Sequence, residues 1–331
     1  MTNTGASAGL HSNMNEDQRV MQSQENPPDL EQLYLTYRPY AFSVAYRMLG
    51  SVTDAEDIVQ DWFTEMHGRS LSGIHNVKAY VAKSITNRCL NLMQSASRRR
   101  ETYVGEWLPE PLPDAYVAQV DGPYEAAEQA DTLSYAYLVM LERLTATERT
   151  VFLLREVFEY DYGLIAEVVG KSEASCRKIL SRVKQNLGSK ASLPPITIAS
   201  PDSRAALMSR FAAAIQHYDI GEMVSLLTQD AVLVSDGGGR ARAAINPIIS
   251  RERVVALLTS QRAFKKLRIW DIRLMEMNGG LSLVYLEENT ARAVITLELS
   301  PEDNLIQQVL IVVNPDKLGH IRAEMGKELT V

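Results

Sequence analysis

The sequence predicts a multi-domain chain in which two all-α units are followed by an α+β domain. Three observations support this fold class. Apolar residues recur at helical spacing through residues 29–100 and 131–190, a stretch with proline at every second position separates these two parts, and β-rich runs follow residue 230. At 331 residues and roughly 150 residues per domain, the chain is long enough for two to three domains.

Composition excludes several classes of protein. No run approaches about 18 apolar residues, so no transmembrane helix is predicted. The first 26 residues lack the apolar core of a secretion signal, and a soluble, cytoplasmic protein is expected. The two cysteines, Cys89 and Cys176, can form neither a disulfide framework nor a CxxC metal site.

The net charge of −7 is distributed unevenly. Residues 105–136 hold seven acidic side chains and no basic one, whereas residues 168–190 hold six basic side chains and one acidic. Residues 29–104 are nearly neutral, but basic side chains gather at Arg98, Arg99 and Arg100. Because local basic stripes decide whether a surface attracts nucleic acid, the acidic mean does not argue against DNA.

The first helical unit begins with a predicted helix over 30–49 that stops at Gly50. Thr53 and Glu56 have the spacing of a capping box and are expected to open a second helix. The polar residues that lie away from the apolar stripe of that helix are Asp54, Asp57, Gln60 and Asp61. Their plain interpretation is a solvated face, and the functional one is a contact for a basic partner. A third helix over 77–99 ends in the basic triplet.

The stretch 101–130 is predicted to be an extended linker. Pro109, Pro111 and Pro113 forbid a helix and favour a polyproline-like path. Trp107 and Leu108 are apolar within this stretch, which indicates that the linker docks on another part of the chain.

The second helical unit has the pattern of a helix-turn-helix. Thr145 and Glu148 form a capping box, and a short helix near Tyr162–Val169 is followed by a three-residue turn and the basic helix Glu173–Leu187. A basic helix after a tight turn can enter the major groove of DNA, although a solvated face explains such a helix equally well. Its outward residues are Ser175, Arg177, Lys178, Ser181, Arg182 and Lys184.

The last domain is predicted to start with helices over 204–217 and 221–227. A meander of antiparallel strands follows, with β-rich runs at 231–235, 264–277, 281–287, 293–300 and 305–313. The sequence Asp236-Gly237-Gly238-Gly239 lacks the ending of a P-loop, so a flexible turn is its plainer interpretation. His217 and His320 fall in no triad or metal spacing, and no catalytic residue, metal or cofactor is predicted.

Motifs in several places resemble one protein family. Residues 46–50 (YRMLG) and 54–61 (DAEDIVQD) resemble the region-two signature of RNA polymerase sigma factors of the extracytoplasmic-function group. Residues 144–149 (LTATER), together with the basic helix, resemble their region four. Residues 107–112 (WLPEPL), 236–239 (DGGG) and 314–318 (NPDKL) resemble the sigma factors that carry a fused C-terminal SnoaL-like domain.

This resemblance implies two all-α sigma domains, a region-two helical bundle and a region-four helix-turn-helix, followed by an α+β SnoaL-like cone-shaped domain. The implied divisions are a flexible tail (1–28), sigma region two (29–104), an acidic proline-rich linker (105–130), sigma region four (131–192), a second linker (193–203) and a SnoaL-like regulatory domain (204–331).

The resemblance also implies a role for each group of residues. Binding of the core polymerase falls to Asp54, Asp57, Gln60 and Asp61. Recognition of the minus-ten element falls to Tyr80, Lys83, Asn87, Arg88, Asn91, Arg98, Arg99 and Arg100. Recognition of the minus-thirty-five element falls to the outward residues of the basic helix. Regulatory contacts between domains fall to Trp107, Pro109, Asp236, Gly237, Gly238, Gly239, Asn314, Pro315, Asp316 and Lys317.

The leading hypothesis is a sigma factor, not itself an enzyme, that binds bacterial core RNA polymerase and promoter DNA as a monomer, with activity modulated by its C-terminal domain. An unknown small ligand of that domain is left open. One alternative is a SnoaL-like hydrolase or isomerase with a DNA-binding appendage, which requires a buried Asp/His pair. Another is a dimeric helix-turn-helix repressor that needs no polymerase.

Overall fold

The structure, a computed structural model, describes residues 30–67, 69, 74, 76–100, 103–116, 134–187, 201–260 and 265–329. The predicted tail (1–28) and most of the two predicted linkers (117–130 and 193–200) lie outside these residues. No helix in the described ranges has both the length and the apolar character needed to cross a membrane.

The first helical unit consists of α1 (Leu30–Leu49), α2 (Val52–Met66) and α3 (Val77–Arg100). Gly50, at φ +66°, ends α1 as predicted. The predicted capping box of Thr53 and Glu56 is wrong, because α2 starts one residue before Thr53. Ser51 lies in the extended region, and its hydroxyl accepts the N–H of Asp54 at 3.1 Å, so Ser51 is the N-cap.

The second helical unit consists of α4 (Tyr135–Leu141), α5 (Ala146–Phe152), α6 (Tyr162–Val169) and α7 (Glu173–Leu187). The capping box of Thr145 and Glu148 is confirmed, with both reciprocal hydrogen bonds present. A π-helical turn over Leu153–Val157 continues α5. The two helical units share one apolar core, in which Met48 and Ile85 of the first unit belong to the same cluster as Leu141 and Phe152 of the second.

The C-terminal domain packs three helices on a sheet. The helices are α8 (Pro201–His217), α9 (Ile220–Leu226) and α10 (Arg251–Leu258). The strands are β1 (Leu227–Asp236), β2 (Ile248–Ile249), β3 (Asp271–Met277), β4 (Gly280–Glu287), β5 (Thr290–Leu299), β6 (Ile306–Val312) and β7 (Lys327–Glu328). Short 3-10 turns cover Lys266–Arg268, Pro315–Lys317 and Ala323–Met325.

The sheet has the strand order β2-β1-β6-β5-β4-β3-β7. Strands β3 to β6 form the predicted antiparallel meander, but β1 runs parallel to β6, so the prediction of a purely antiparallel sheet is wrong. Helix α10, which was not predicted, lies in the long connection from β1 to β3. Parallel strands cannot be joined by a tight turn, and the long chain between β1 and β6 allows these two strands to lie side by side.

The two faces of the sheet bury different partners, because successive side chains of a strand point to opposite faces. Tyr285 of β4 packs with Phe211 of α8 on the helix-covered face. Val284, one residue earlier, packs on the other face with Leu108 and Tyr135. This second face therefore covers an extended segment, residues 103–116, that we call the strap, together with the start of α4.

Candidate interdomain and nucleic-acid-binding site

The residues predicted to bind core polymerase share one accessible surface. Asp54, Asp57, Gln60 and Asp61 are all exposed on α2, while Trp62 and Phe63 of the same helix are buried. None of these four side chains forms an ion pair with another residue in the described part of the chain. The surface is acidic and suits a basic partner.

The residues predicted to read the minus-ten element lie on α3, and some of them are already engaged. The ammonium group of Lys83 forms an ion pair with Glu167 of α6. The guanidinium group of Arg88 contacts Glu65 at 2.6 Å, which holds the pKa of Glu65 below its usual value. Tyr80 is half-buried beside Trp62, with ring centroids 6.3 Å apart.

The other predicted minus-ten residues differ in exposure. Asn87 is half-buried and Asn91 is exposed. Arg98, Arg99 and Arg100 belong to the last turn of α3, and their side chains lie outside the described part of the chain.

The residues predicted to read the minus-thirty-five element form an open surface on α7. Ser175 is half-buried, and the other five are exposed: Arg177, Lys178, Ser181, Arg182 and Lys184. Arg177 pairs with Glu173 at 2.7 Å and stacks over the Tyr162 ring, with 4.6 Å from Cζ to the ring centroid. Lys184 pairs with Glu156 at 2.6 Å. The apolar side of α7 packs inward, so the basic side is available to DNA.

The two helical units are held against each other by buried polar contacts. Arg149 of α5 is 1 % exposed, and it donates to the carbonyl of Met48 at 2.9 Å and to the Glu142 carboxylate at 2.8 Å. The hydroxyl groups of Tyr40 and Tyr160 are 2.6 Å apart. Together with the Lys83–Glu167 pair, these contacts define a closed arrangement of the two units.

The strap is fixed to the C-terminal domain by a buried ion pair. The Asp236 carboxylate is fully buried and accepts hydrogen bonds from the Tyr103 hydroxyl, from the Leu108 N–H at 2.8 Å and from Lys317 Nζ at 2.7 Å. Lys317 also donates to the Leu108 carbonyl, and its Nζ lies 3.1 Å from the centroid of the Trp107 ring. Burial lowers the pKa of Lys317.

The glycine run after Asp236 forms the expected turn, and this turn packs tightly against the strap. At Gly238, where φ is +55°, a Cβ would lie 2.3 Å from Nδ2 of Asn314 and 2.8 Å from the Tyr103 hydroxyl. A Cβ at Gly237 would lie 2.3 Å from the Ala241 carbonyl oxygen. Only glycine allows the backbone to approach this closely. Gly239 is exposed, at φ +72°.

The segment 314–318 supports the same contact. Nδ2 of Asn314 donates to the Tyr103 hydroxyl at 3.0 Å, and its Oδ1 caps the short turn by accepting the N–H of Asp316 at 3.1 Å. Pro315 and Asp316 are exposed, and Asp316 pairs with Arg240 at 3.3 Å. The structure thus brings together the predicted interdomain residues from all three motifs.

The strap also holds both helical units. The carboxylate of Glu110 accepts the Ser51 hydroxyl at 2.8 Å and the N–H of Val52 at 2.9 Å, which stabilises the start of α2. Its carbonyl accepts the Tyr46 hydroxyl at 2.7 Å. The carbonyl of Pro109, a predicted interdomain residue, accepts the Tyr135 hydroxyl at the start of α4 at 2.6 Å.

Asn278 closes the network from the turn after β3. Its Nδ2 donates to the Tyr46 hydroxyl at 2.8 Å, and its Oδ1 accepts the N–H of Leu112 at 3.0 Å. Nearby, Nε2 of His320 lies 2.7 Å from the Pro111 carbonyl, so a neutral ring can donate there, and burial lowers the pKa of His320. One short segment therefore contacts all three folded parts of the chain.

Several residues of this network were not predicted: Tyr46, Tyr103, Glu110, Arg149, Asn278 and His320. Glu110 stands between two prolines in an otherwise apolar stretch, and a charge in that position is a signal of a specific partner. Arg149 lies three residues before Phe152, on the apolar stripe of α5. Tyr46 lies in the YRMLG motif, but neither Tyr46 nor Asn278 is a charge in an apolar stretch, so their own residue types do not indicate a buried polar contact.

Comparisons with known proteins agree with this geometry. Residues 33–99 match the family described as sigma-70 region 2, and residues 134–187 match sigma-70, region 4. The extracytoplasmic-function (ECF) RNA polymerase sigma factor SigJ of Mycobacterium tuberculosis is 33 % identical over 224 residues, which cover 67 % of this chain and 69 % of SigJ.

Two further similarities extend over more of the chain. The probable ECF RNA polymerase sigma factor SigI of Mycobacterium tuberculosis is 27 % identical over 310 residues, covering 92 % of this chain and 99 % of SigI. The crystal structure of Mycobacterium tuberculosis SigJ superimposes with a TM-score of 0.65 at 28 % identity, covering 86 % of this chain and 96 % of that one.

Two sigma-70 regions in this order, with a helix-turn-helix in the second, define an RNA polymerase sigma factor. The chain belongs to the extracytoplasmic-function group of these factors. The predicted family, fold class and general function are therefore confirmed. As a sigma factor, the chain binds core RNA polymerase and promoter DNA.

Proposed function

We propose that this sigma factor is restrained by its own C-terminal domain, which acts through the strap to hold regions two and four in the closed arrangement. The observation that carries the proposal is the buried pair of Asp236 and Lys317 beneath the strap, 2.7 Å apart. A separate anti-sigma protein is not needed for this restraint, because the restraining domain is covalently attached.

The strap transmits the restraint because it is stiff and bound at both sides. Its prolines limit the backbone to extended conformations, so a shift at Asp236 is passed along to Glu110. Glu110 and Pro109 in turn contact the first residues of α2 and α4. Loss of the Asp236 contact is therefore expected to weaken the contacts of Glu110 with α2 and of Pro109 with α4 at the same time.

The closed arrangement opposes promoter opening in two ways. Lys83, which we assign to the minus-ten element, is neutralised by Glu167 of region four. The polar contacts at Arg149 and Tyr40 also fix the separation of α3 and α7, which must bind DNA elements at different positions along the promoter. The exposed polar residues of α2 remain free to dock on core polymerase first, and opening follows docking.

The remaining assignments are part of the same proposal. The proposal includes the division into regions at 29–104, 131–192 and 204–331, and the site residues given above for each region. It also includes a monomer in solution and a cytoplasmic location. The C-terminal domain acts without catalysis, because its buried carboxylate, Asp236, is occupied by Lys317 and the strap rather than by a histidine. A small ligand of that domain would find a polar group at the Tyr285 hydroxyl, which is buried without a partner in the described part of the chain.

Run-off transcription with bacterial core polymerase and a promoter library tests the proposal. Transcripts that depend on the full chain are expected, and Asp236→Ala is expected to raise their yield several-fold while circular dichroism stays unchanged. Asp230→Ala is the matched control, since Asp230 is exposed on the same strand. Equal yields from wild type and Asp236→Ala would contradict the restraint, and no transcript from any variant would contradict the sigma assignment.

A further inference from the structure

The C-terminal domain carries a basic segment that the proposed function does not use. Residues 237–275 contain nine basic and two acidic side chains, although residues 201–331 contain 15 basic and 16 acidic ones. Four arginines of this segment lie beside the edge strand β2, in the connection from β1 and in the first turn of α10. We call these four residues the basic edge: Arg240, Arg242, Arg251 and Arg253.

The basic edge is accessible and little neutralised. Arg240, Arg242 and Arg253 are exposed, and Arg251 is half-buried. Arg240 pairs with Asp316 at 3.3 Å, but both side chains are more than 60 % exposed, so a phosphate group can compete with this pair. Of the two acidic residues in 237–275, Glu252 lies between Arg251 and Arg253, and Asp271 is at the start of β3.

The basic edge adjoins the basic end of α3. Helix α3 ends at Arg100, and three residues of chain span at most about 11 Å, so the backbone of Tyr103 lies close to that end. Tyr103 donates to Asp236, and a Cβ at Gly239 would lie 3.4 Å from the Val104 side chain. The loop that carries Arg240 and Arg242 therefore lies beside Tyr103 and Val104, which follow the end of α3 by three and four residues.

We propose that the basic edge is a third DNA-binding surface, which holds the phosphate backbone of the promoter where it passes beyond the end of α3. The proposal rests on the assignment of α3 to DNA under the proposed function. Arginine suits this task because its planar guanidinium group binds phosphate with two parallel hydrogen bonds. The exposed Ile245 and Ile249 on the same edge would instead suit a protein. The excess of positive charge and the position beside α3 favour DNA.

Salt dependence of DNA binding tests the proposal with the full chain and a 40-base-pair duplex of arbitrary sequence. Each phosphate contact contributes about 0.9 to the slope of log K against log salt concentration, so R240Q/R242Q is expected to reduce the slope by about 2. The matched control is R292Q/K327Q, which removes one exposed charge from the central strand β5 and one from the opposite edge strand β7, and is expected to leave the slope unchanged.

A second variant separates this proposal from the proposed function. R177Q/K178Q on α7 is expected to reduce the slope in the same assay. If R177Q/K178Q reduces the slope and R240Q/R242Q does not, the basic edge is not a DNA surface, and the assignment of α7 to DNA under the proposed function stands. If neither pair reduces the slope, the assignments of the basic edge and of α7 to DNA both fail. An unchanged slope with weaker binding of R240Q/R242Q to core polymerase would overturn the DNA assignment in favour of a protein partner.

Discussion

Replacing Lys317 by methionine keeps the length of the side chain and removes the charge that neutralises Asp236. The two groups are 2.7 Å apart, which at an effective dielectric constant of about 20 corresponds to a gross attraction of about 6 kcal/mol. Desolvation of both buried groups offsets part of this attraction. Leaving one partner buried and unpaired costs about 3–5 kcal/mol, so Lys317→Met is expected to lower the free energy of unfolding by that amount.

Urea denaturation of the full chain, followed by circular dichroism and tryptophan fluorescence, measures this loss. Trp107 reports on the site directly, since its ring lies 3.1 Å from the ammonium group. The double variant D236N/K317M removes both charges. Its loss in the free energy of unfolding is expected to be at least about 2 kcal/mol smaller than the sum of the losses of the two single variants. A cost below about 1 kcal/mol for Lys317→Met, or additive single losses, would mean that the buried pair does not stabilise this site. Lys327→Met, at an exposed lysine, is the control.

Three further outcomes are expected. Burial raises the pKa of Glu298 to about 7, above its unfolded value, so its contribution to stability is present at pH 4 and is lost as pH rises through 7. Glu298→Gln should therefore lack this loss of stability, which is up to about 3 kcal/mol, when the urea midpoint is measured as a function of pH. Tyr285→Phe should keep or raise the melting temperature, because its buried hydroxyl has no partner within the described residues and costs about 1–3 kcal/mol; a lower melting temperature would indicate an unseen partner. Gly238→Ala should detach the strap, seen as faster proteolysis near Tyr103, whereas Gly319→Ala, where a Cβ meets open space, should not.

The boundaries of several helices in the two helical units were predictable because their signals are local, whereas α10 of the C-terminal domain was not predicted. Gly50 ends α1, the capping box at Thr145 opens α5, and the tight turn at Gly170 separates α6 from α7, each within a few residues of sequence. The cap of α2 was predicted two residues too late for a physical reason. Both Ser51 and Thr53 are good caps, and Glu110, which bonds the Ser51 hydroxyl and the first N–H groups of α2, lies some 60 residues further along the chain.

Long-range pairing was not predictable from the sequence. The alternation of apolar residues in β1 identifies a strand, but nothing in that pattern specifies a parallel neighbour, β6, that is more than 70 residues away. The motif residues Asp236 and Lys317 were predicted to contact the linker, and they do lie together beneath the strap. Their mutual ion pair, and the part played by Tyr103, depend on three segments meeting in space and carry no local signal.

Under the proposed function, the closed arrangement must open before the promoter is melted. Lys83 and Glu167 lie at the junction of regions two and four, and both native cysteines are buried. We would link K83C to E167C with a cleavable thiol-specific cross-linker, in a C89A/C176A background, and measure run-off transcription with core polymerase. We expect the linked protein to bind core polymerase but to yield almost no transcript, and we expect cleavage of the linker to restore transcription to the level of the unlinked K83C/E167C variant. Transcription by the linked protein at that same level would show that opening is not required.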